Sequence, residues 1–354
     1  MERKDSRIAE LDVIRCVCNY LVVLLHAWAV FQYGTYGSVE YRVWNFICGP
    51  MTNVAMPTLF FISGYLLMNG FTMSKWPDKM RRRVKRLAVP YIVWSILFVL
   101  IYVSLASMFP RLQERVDSNG LSTLQGILGK TFGLTVVPID GPLWFLRAIF
   151  VYSLISPLIY WMLKKMRMVL YVLCILYLSL TFVIGYDAFK YSYPGYSVLV
   201  FVAGCAMGFD GKNLVQMFGG HWAWKMIGWI GFICATMNLL MSDLDYMARC
   251  ALSAVTSILL VPLLFSYAPQ LVSLAKVKGY AFFKDASFFA YAGHFLFCSS
   301  VLHLMAPLTK GMATGRMTVL ALCFLCIGLP LTFTVYICGK RLFPKVMKCF
   351  DGTL

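Results

Sequence analysis

The sequence predicts an all-α, polytopic integral membrane bundle of about ten transmembrane helices with both termini cytoplasmic, and three observations predict it. Of the 354 residues, 60% are hydrophobic and 13% charged, and the mean hydropathy is +0.74, which sets the chain apart from soluble globular domains. The apolar residues collect in runs of bilayer-crossing length, where barrel strands would show segments of about ten residues alternating polar and apolar. Most of the 32 Lys and Arg fall on the side that holds the N-terminus, so the positive-inside rule places both ends in the cytoplasm. The net charge of +17 therefore reads as topology beside membrane lipids, and nucleic acid is not expected as a partner.

The expected spans cover roughly residues 11 to 31, 45 to 69, 88 to 108, 142 to 163, 168 to 186, 194 to 210, 224 to 242, 249 to 268, 286 to 306 and 316 to 338. No connection exceeds about 35 residues, the longest running from 109 to 141, so a single domain over 1–354 is expected, with its chemistry carried by helices and short loops.

Span one carries the strongest signal, because "LDVIRCVCNYLVVLLH" at 11–26 is long enough to cross a bilayer yet holds four polar groups. At 100° per residue, the step from Arg15 to His26 ends about 20° past three full turns. Asp12 and Asn19 fall close to the same line, while Val13, Leu21, Leu24 and Leu25 fall away from it. The helix thus presents one polar stripe, with His26 roughly 16 Å deeper than Arg15. An ionisable group near mid-membrane costs about 2.5 to 3.5 kcal/mol on insertion scales, so such groups line a cavity or pair with one another. Interface anchoring explains Asp12 and Arg15 alone, and a bond to a neighbouring helix explains His26 alone. Together on one face they point to a functional site, with the imidazole suited to take a proton from an alcohol and the arginine suited to hold an anion. "AWA" at 27–29 has the look of a signal-peptidase site, but the ionisable groups before it do not suit a secretory segment, so span one is expected to stay in the mature protein.

Span two holds Ser63, Gly64 and Tyr65; the small pair permits close helix approach as readily as chemistry, and a G-x-S-x-G context is missing. The loop "KWPDKMRRRVKR" at 75–86 is either ordinary cytoplasmic basicity or a cradle for phosphates, for which arginine forks are suited. Span four buries Arg147 within "LWFLRAIFV" with no carboxylate within four residues. It either snorkels to headgroups or sits beside a reacting centre, where it would stabilise an oxyanion or hold the acceptor. In span nine, Tyr291 and His294 either line a cavity or are satisfied by neighbours, and His303 falls on the opposite side of that helix from His294. No metal site is expected, and the 12 cysteines, including Cys323 and Cys326, read as packing residues.

Several of these blocks, in this order, resemble the membrane-bound acyltransferase-3 family. Its hallmark is an arginine, ten intervening residues and a histidine, matched by Arg15 and His26; "PTLFFISGYLL" at 57–67, "RRRVKRLAVPYIVWS" at 81–95, "GPLWFLRAIFVYSLISPLI" at 141–159 and "SFFAYAGHFLF" at 287–297 are similar to its later segments. Ala292 and Gly293 stand where many relatives carry larger residues. The resemblance implies O-acyl transfer, commonly of acetyl, from cytoplasmic acetyl-CoA to a hydroxyl of a carbohydrate or lipid-linked glycan in the inner membrane of a bacterium. It implies His26, Arg147 and Asp12 as catalytic residues and Arg15, Arg83 and Arg86 as contacts for the coenzyme. Asn19, Ser63, Tyr65, Trp144, Tyr291 and His294 would line the cavity. Direct attack on the thioester and an acyl-histidine relay both fit. The rival expectation is a secondary transporter using the same buried charges as a proton or substrate pathway, for which paired broken helices in two related halves would be the pointer.

Overall fold

A computed structural model describes residues 2–106, 116, 120–133, 138–183, 195–219, 221–240, 246–312 and 314–354. Among the described residues the regular structure is entirely helical. In chain order the α-helices are α1 (Glu2–His26), α2 (Val39–Cys48), α3 (Ala55–Met68), α4 (Trp76–Arg83), α5 (Val89–Ala106), α6 (Leu124–Phe132) and α7 (Trp144–Leu154). They continue with α8 (Ser156–Lys165), α9 (Arg167–Val183), α10 (Gly195–Phe209), α11 (Leu214–Gly219), α12 (Trp222–Leu240) and α13 (Tyr246–Leu259). The last are α14 (Val261–Ser266), α15 (Ala268–Ser273), α16 (Tyr280–Met305), α17 (Arg316–Cys323), α18 (Leu329–Leu342) and α19 (Pro344–Asp351). The tyrosine-rich stretch at 186–196 lies, up to residue 194, outside the described residues.

By length and hydropathy, four described helices can cross a membrane: Glu10–Tyr33, Met73–Ser104, Tyr280–Met305 and Arg316–Leu342. Two bent pairs raise this to six, against the ten expected. The apolar helices Ala55–Met68, Arg167–Thr181 and Gly195–Phe209 fall short of bilayer-crossing length, and proline bends or divides others, because it withholds a backbone donor and its ring crowds the preceding turn. The expected span at 142–163 bends by 56° where α7 meets α8 at Pro157, and the segment Ala251–Lys276 bends by 51° at Pro269. Span two is likewise divided, with Gly49 and Pro50 separating α2 from α3. Two long helices instead absorb a proline through a π-helical turn just before it, Val84–Ala88 ahead of Pro90 and Phe324–Gly328 ahead of Pro330.

The backbones of α3 and α10 approach closely. A Cβ added at Gly64 would run into the Phe201 carbonyl, one at Gly204 into the Phe61 carbonyl, and one at Gly208 into the Tyr65 carbonyl. Lipid offers no hydrophobic drive between helices, so small residues that let backbones touch supply dispersion contact instead. Against this pair, Phe60 packs on Trp144 and Phe145, tying α7 to α3 at ring separations of 5.7 and 4.7 Å.

Helices α1 and α16 lie side by side and run parallel. Asn19 meets Ser287, and seven residues further along both helices His26 meets His294. Two turns of helix on each side therefore stay in register, bringing the polar stripe of the first helix onto a late one.

Candidate active site

At the far end of α1, the His26 ring lies 4.9 Å, centroid to centroid, from the His294 ring. His26 Nδ1 is 2.8 Å from the Val22 carbonyl and His294 Nδ1 is 2.7 Å from the Tyr291 carbonyl. A carbonyl only accepts, so in the neutral rings each Nδ1 carries the proton and each Nε2 keeps a lone pair. Local helix geometry thus leaves one lone-pair nitrogen on each of two neighbouring rings. His294 is 0% exposed and its Nε2 has no hydrogen-bond partner.

Asn19 donates from Nδ2 to Ser287 Oγ at 3.3 Å and Tyr20 donates from its hydroxyl to the Phe283 carbonyl at 2.7 Å, so the polar stripe is held by α16. At its cytoplasmic end Arg15 and Asp12 form the expected i, i+3 pair at 3.5 Å, with both side chains partly exposed. Arg83 Nη2 donates to the Ser63 carbonyl at 2.9 Å, and Lys79 Nζ donates to the Leu67 and Asn69 carbonyls at 2.6 and 2.9 Å. These cations meet the carbonyl-rich C-terminal end of α3, a favourable placement for positive charge. The basic loop is therefore partly structural, and Ser63 enters through its main chain. Arg15 and Arg86 both lie within electrostatic reach of Arg83, so three arginines from separate elements converge at one end of the bundle.

Arg147 is 5% exposed. Its helix α7 packs beside α4 and the π-helical turn at Val84–Ala88, the segment that carries Arg83 and Arg86. The guanidinium sits against Gly133, which ends α6 at φ 59°, and near the Tyr91 hydroxyl. The sequence suggested a snorkelling or site-lining side chain; the structure buries it under the carbonyl end of a short helix. Trp144 is half-buried against Phe60, and Tyr65 is fully buried with its hydroxyl donating to the Lys212 carbonyl at 3.0 Å. Tyr291 is 1% exposed and donates to the Pro142 carbonyl at 2.7 Å, fastening the start of α7 to α16 one turn below His294.

Asp140 escaped the sequence reading. It directly precedes Gly141 and Pro142 at a helix start, where an acid ordinarily reads as a cap. Its side chain caps nothing, it is 0% exposed, and among the described residues neither carboxyl oxygen has a hydrogen-bond partner. Burial holds this carboxyl well above the usual carboxylate range.

One helix thus carries an imidazole roughly 16 Å along its axis from a cluster of arginines. The chain belongs to the acyltransferase-3 family: the family model described as an acyltransferase domain matches residues 8–337. Over 161 residues it is 25% identical to the succinoglycan biosynthesis protein ExoH of Rhizobium meliloti (strain 1021). That match covers 43% of this chain and 42% of the relative's length. No solved structure matches the chain.

Proposed function

We infer that the protein moves an acyl group, acetyl in the simplest case, from cytoplasmic acyl-CoA to a hydroxyl of a carbohydrate acceptor, with His26 as general base. The observation that carries this reading is the two-ended stripe of α1: Arg15, within reach of Arg83, at one end and the lone-pair Nε2 of His26 at the other. The relative's name adds polysaccharide biosynthesis to the acyltransferase family. Arg15, Arg83 and Arg86 suit the phosphates of the coenzyme, because guanidinium forks match phosphate oxygens and no carboxylate but Asp12 pairs with any of the three among the described residues. The extended pantetheine arm then spans the distance to His26.

In the reaction, His26 Nε2 takes the acceptor hydroxyl proton while the oxygen attacks the thioester carbonyl carbon. The tetrahedral oxyanion collapses, the carbon–sulfur bond breaks, and the imidazolium returns its proton to the departing thiolate. Arg147 is assigned the developing negative charge, as the buried cation on the element beside Arg83 and Arg86. Asp12 orients Arg15 through their ion pair. A bacterial inner membrane, with the donor reached from the cytoplasm, suits this arrangement.

The test is acyl transfer by protein in proteoliposomes given radiolabelled acetyl-CoA and oligosaccharide. His26→Ala is expected to lower kcat by about a hundredfold or more, the usual contribution of a general base, while the protein still inserts and elutes as wild type. Transfer at the wild-type rate by that variant removes His26 from the mechanism. Solute movement by wild type without CoA release would instead support a transporter.

A further inference from the structure

We propose that Asp140 and His294 form the acceptor subsite, where they bind hydroxyl groups of a neutral polyhydroxylated acceptor next to the one that His26 activates. The inference rests on the acyl-transfer reading above and goes further, naming the residues that select the acceptor and its chemical class.

Among the described residues, the side chains of Asp140 and His294 each hold buried polar atoms without partners in the same neighbourhood. Asp140 has both carboxyl oxygens unsatisfied, and His294 has its Nε2 unsatisfied, each at 0% exposure. Leaving a buried polar group unpaired costs free energy that a stable fold ordinarily avoids, and the cost is recovered when a ligand supplies the missing bonds. Tyr291 connects the two. Its main-chain carbonyl accepts from His294 Nδ1, its hydroxyl donates to Pro142 two residues beyond Asp140, and its ring feels the Asp140 carboxyl electrostatically. Because Tyr291 satisfies Pro142 and not Asp140, the carboxyl keeps its full bonding capacity.

The chemistry of the vacant groups selects the ligand. His294 Nε2 can only accept, so its partner carries a donor. The Asp140 carboxyl, whose protonated form burial favours, has acceptor positions in either form and a donor when protonated, which match a hydroxyl, itself both donor and acceptor. The His294 ring lies 4.9 Å from that of His26, so a ligand satisfying both imidazoles presents neighbouring hydroxyls, as a sugar ring does. Sites built around such bonds reject analogues that lack the hydroxyl by large factors, since the protein groups are then left unpaired.

The experiment compares wild type, Asp140→Leu and Asp140→Asn in nanodiscs, using radiolabelled acetyl-CoA and a set of gluco- and galacto-oligosaccharides. Asp140→Leu should raise the acceptor KM about tenfold or more while the acetyl-CoA KM stays within about twofold, and Asp140→Asn, which keeps an acceptor and a donor, should recover most of the loss. Removing an unsatisfied buried carboxyl should also leave the melting temperature at or above that of wild type, whereas a structural Asp140 would lower it. An unchanged acceptor KM, a rise in the acetyl-CoA KM alone, or a lowered melting temperature in both variants overturns the subsite. Absence of transfer to every oligosaccharide by wild type would instead remove the carbohydrate reading itself.

Discussion

Val22, four residues before His26, decides which nitrogen of that ring is basic, and the same device operates at His294 through Tyr291. A helix thereby sets a tautomer without a carboxylate partner, leaving Nε2 free to meet a hydroxyl. Arg147 depends just as closely on one backbone position. Gly133 adopts φ 59°, where an L side chain costs on the order of 1 kcal/mol, and its missing Cβ leaves the space that the guanidinium fills. Gly133→Ala is therefore expected to push the Arg147 head from its place and to lower kcat in the same direction as Arg147→Lys, with the acetyl-CoA KM little changed. Steady-state kinetics of the two variants check this: a normal kcat for Gly133→Ala beside a crippled Arg147→Lys would uncouple guanidinium position from catalysis. Arg15 and His26 were legible from sequence because both sit on one helix whose pitch is known. Asp140 was not, since its meaning comes from bonds it fails to make, and the pairing of His26 with His294 joins residues far apart in the chain.

At the scale of helices, two close approaches depend on glycine. Gly64, Gly204 and Gly208 set the contact of α3 with α10, and Gly293 makes room for Trp94, whose Cη2 would lie 2.6 Å from a Cβ there. The second accounts for a residue without a side chain at this place: with Trp94 packed on Phe289 and Phe350, the position at 293 has no space for a larger one. Gly204→Leu is expected to lower stability by about 1 to 3 kcal/mol or to prevent folding, because the obstructing atom is the Phe61 carbonyl carbon and oxygen rather than a movable side chain. Gly129→Ala in α6 meets nothing within 4 Å and should be neutral or slightly stabilising through better helix propensity. Thermal unfolding in detergent compares them; equal melting temperatures for Gly204→Leu and wild type would contradict close packing of α3 on α10. The small pair at Ser63 and Gly64 showed this contact in outline, while Pro157 and Pro269 showed where helices bend but not by how much, since the angle depends on what packs around the break.

For the whole molecule, the parallel course of α1 and α16 constrains topology more tightly than any count of spans. If α1 leaves the cytoplasm at Arg15, α16 leaves it at Tyr280, because Asn19 and His26 meet Ser287 and His294 in the same order. The segment Arg316–Leu342 then returns antiparallel to α16, with Gly328 against Cys298 and Tyr336 against Phe289. It ends at Lys340 and Arg341, and α19 follows with Lys345 and Lys348, so the basic residues that predicted a cytoplasmic C-terminal region fall where the helix directions require. Lys340 pairs with the buried Asp351, and Trp94 Nε1 donates to the Phe350 carbonyl at 3.0 Å, which fixes α19 against α5. Thiol labelling tests the arrangement in a background stripped of other cysteines. Cys349 should react with a membrane-impermeant maleimide only in inside-out vesicles, and Leu308→Cys, at an exposed position between α16 and α17, only in right-side-out cells. Labelling of both positions from one side would contradict the parallel pairing on which His26 and His294 depend, because α16 could not then run outward beside α1.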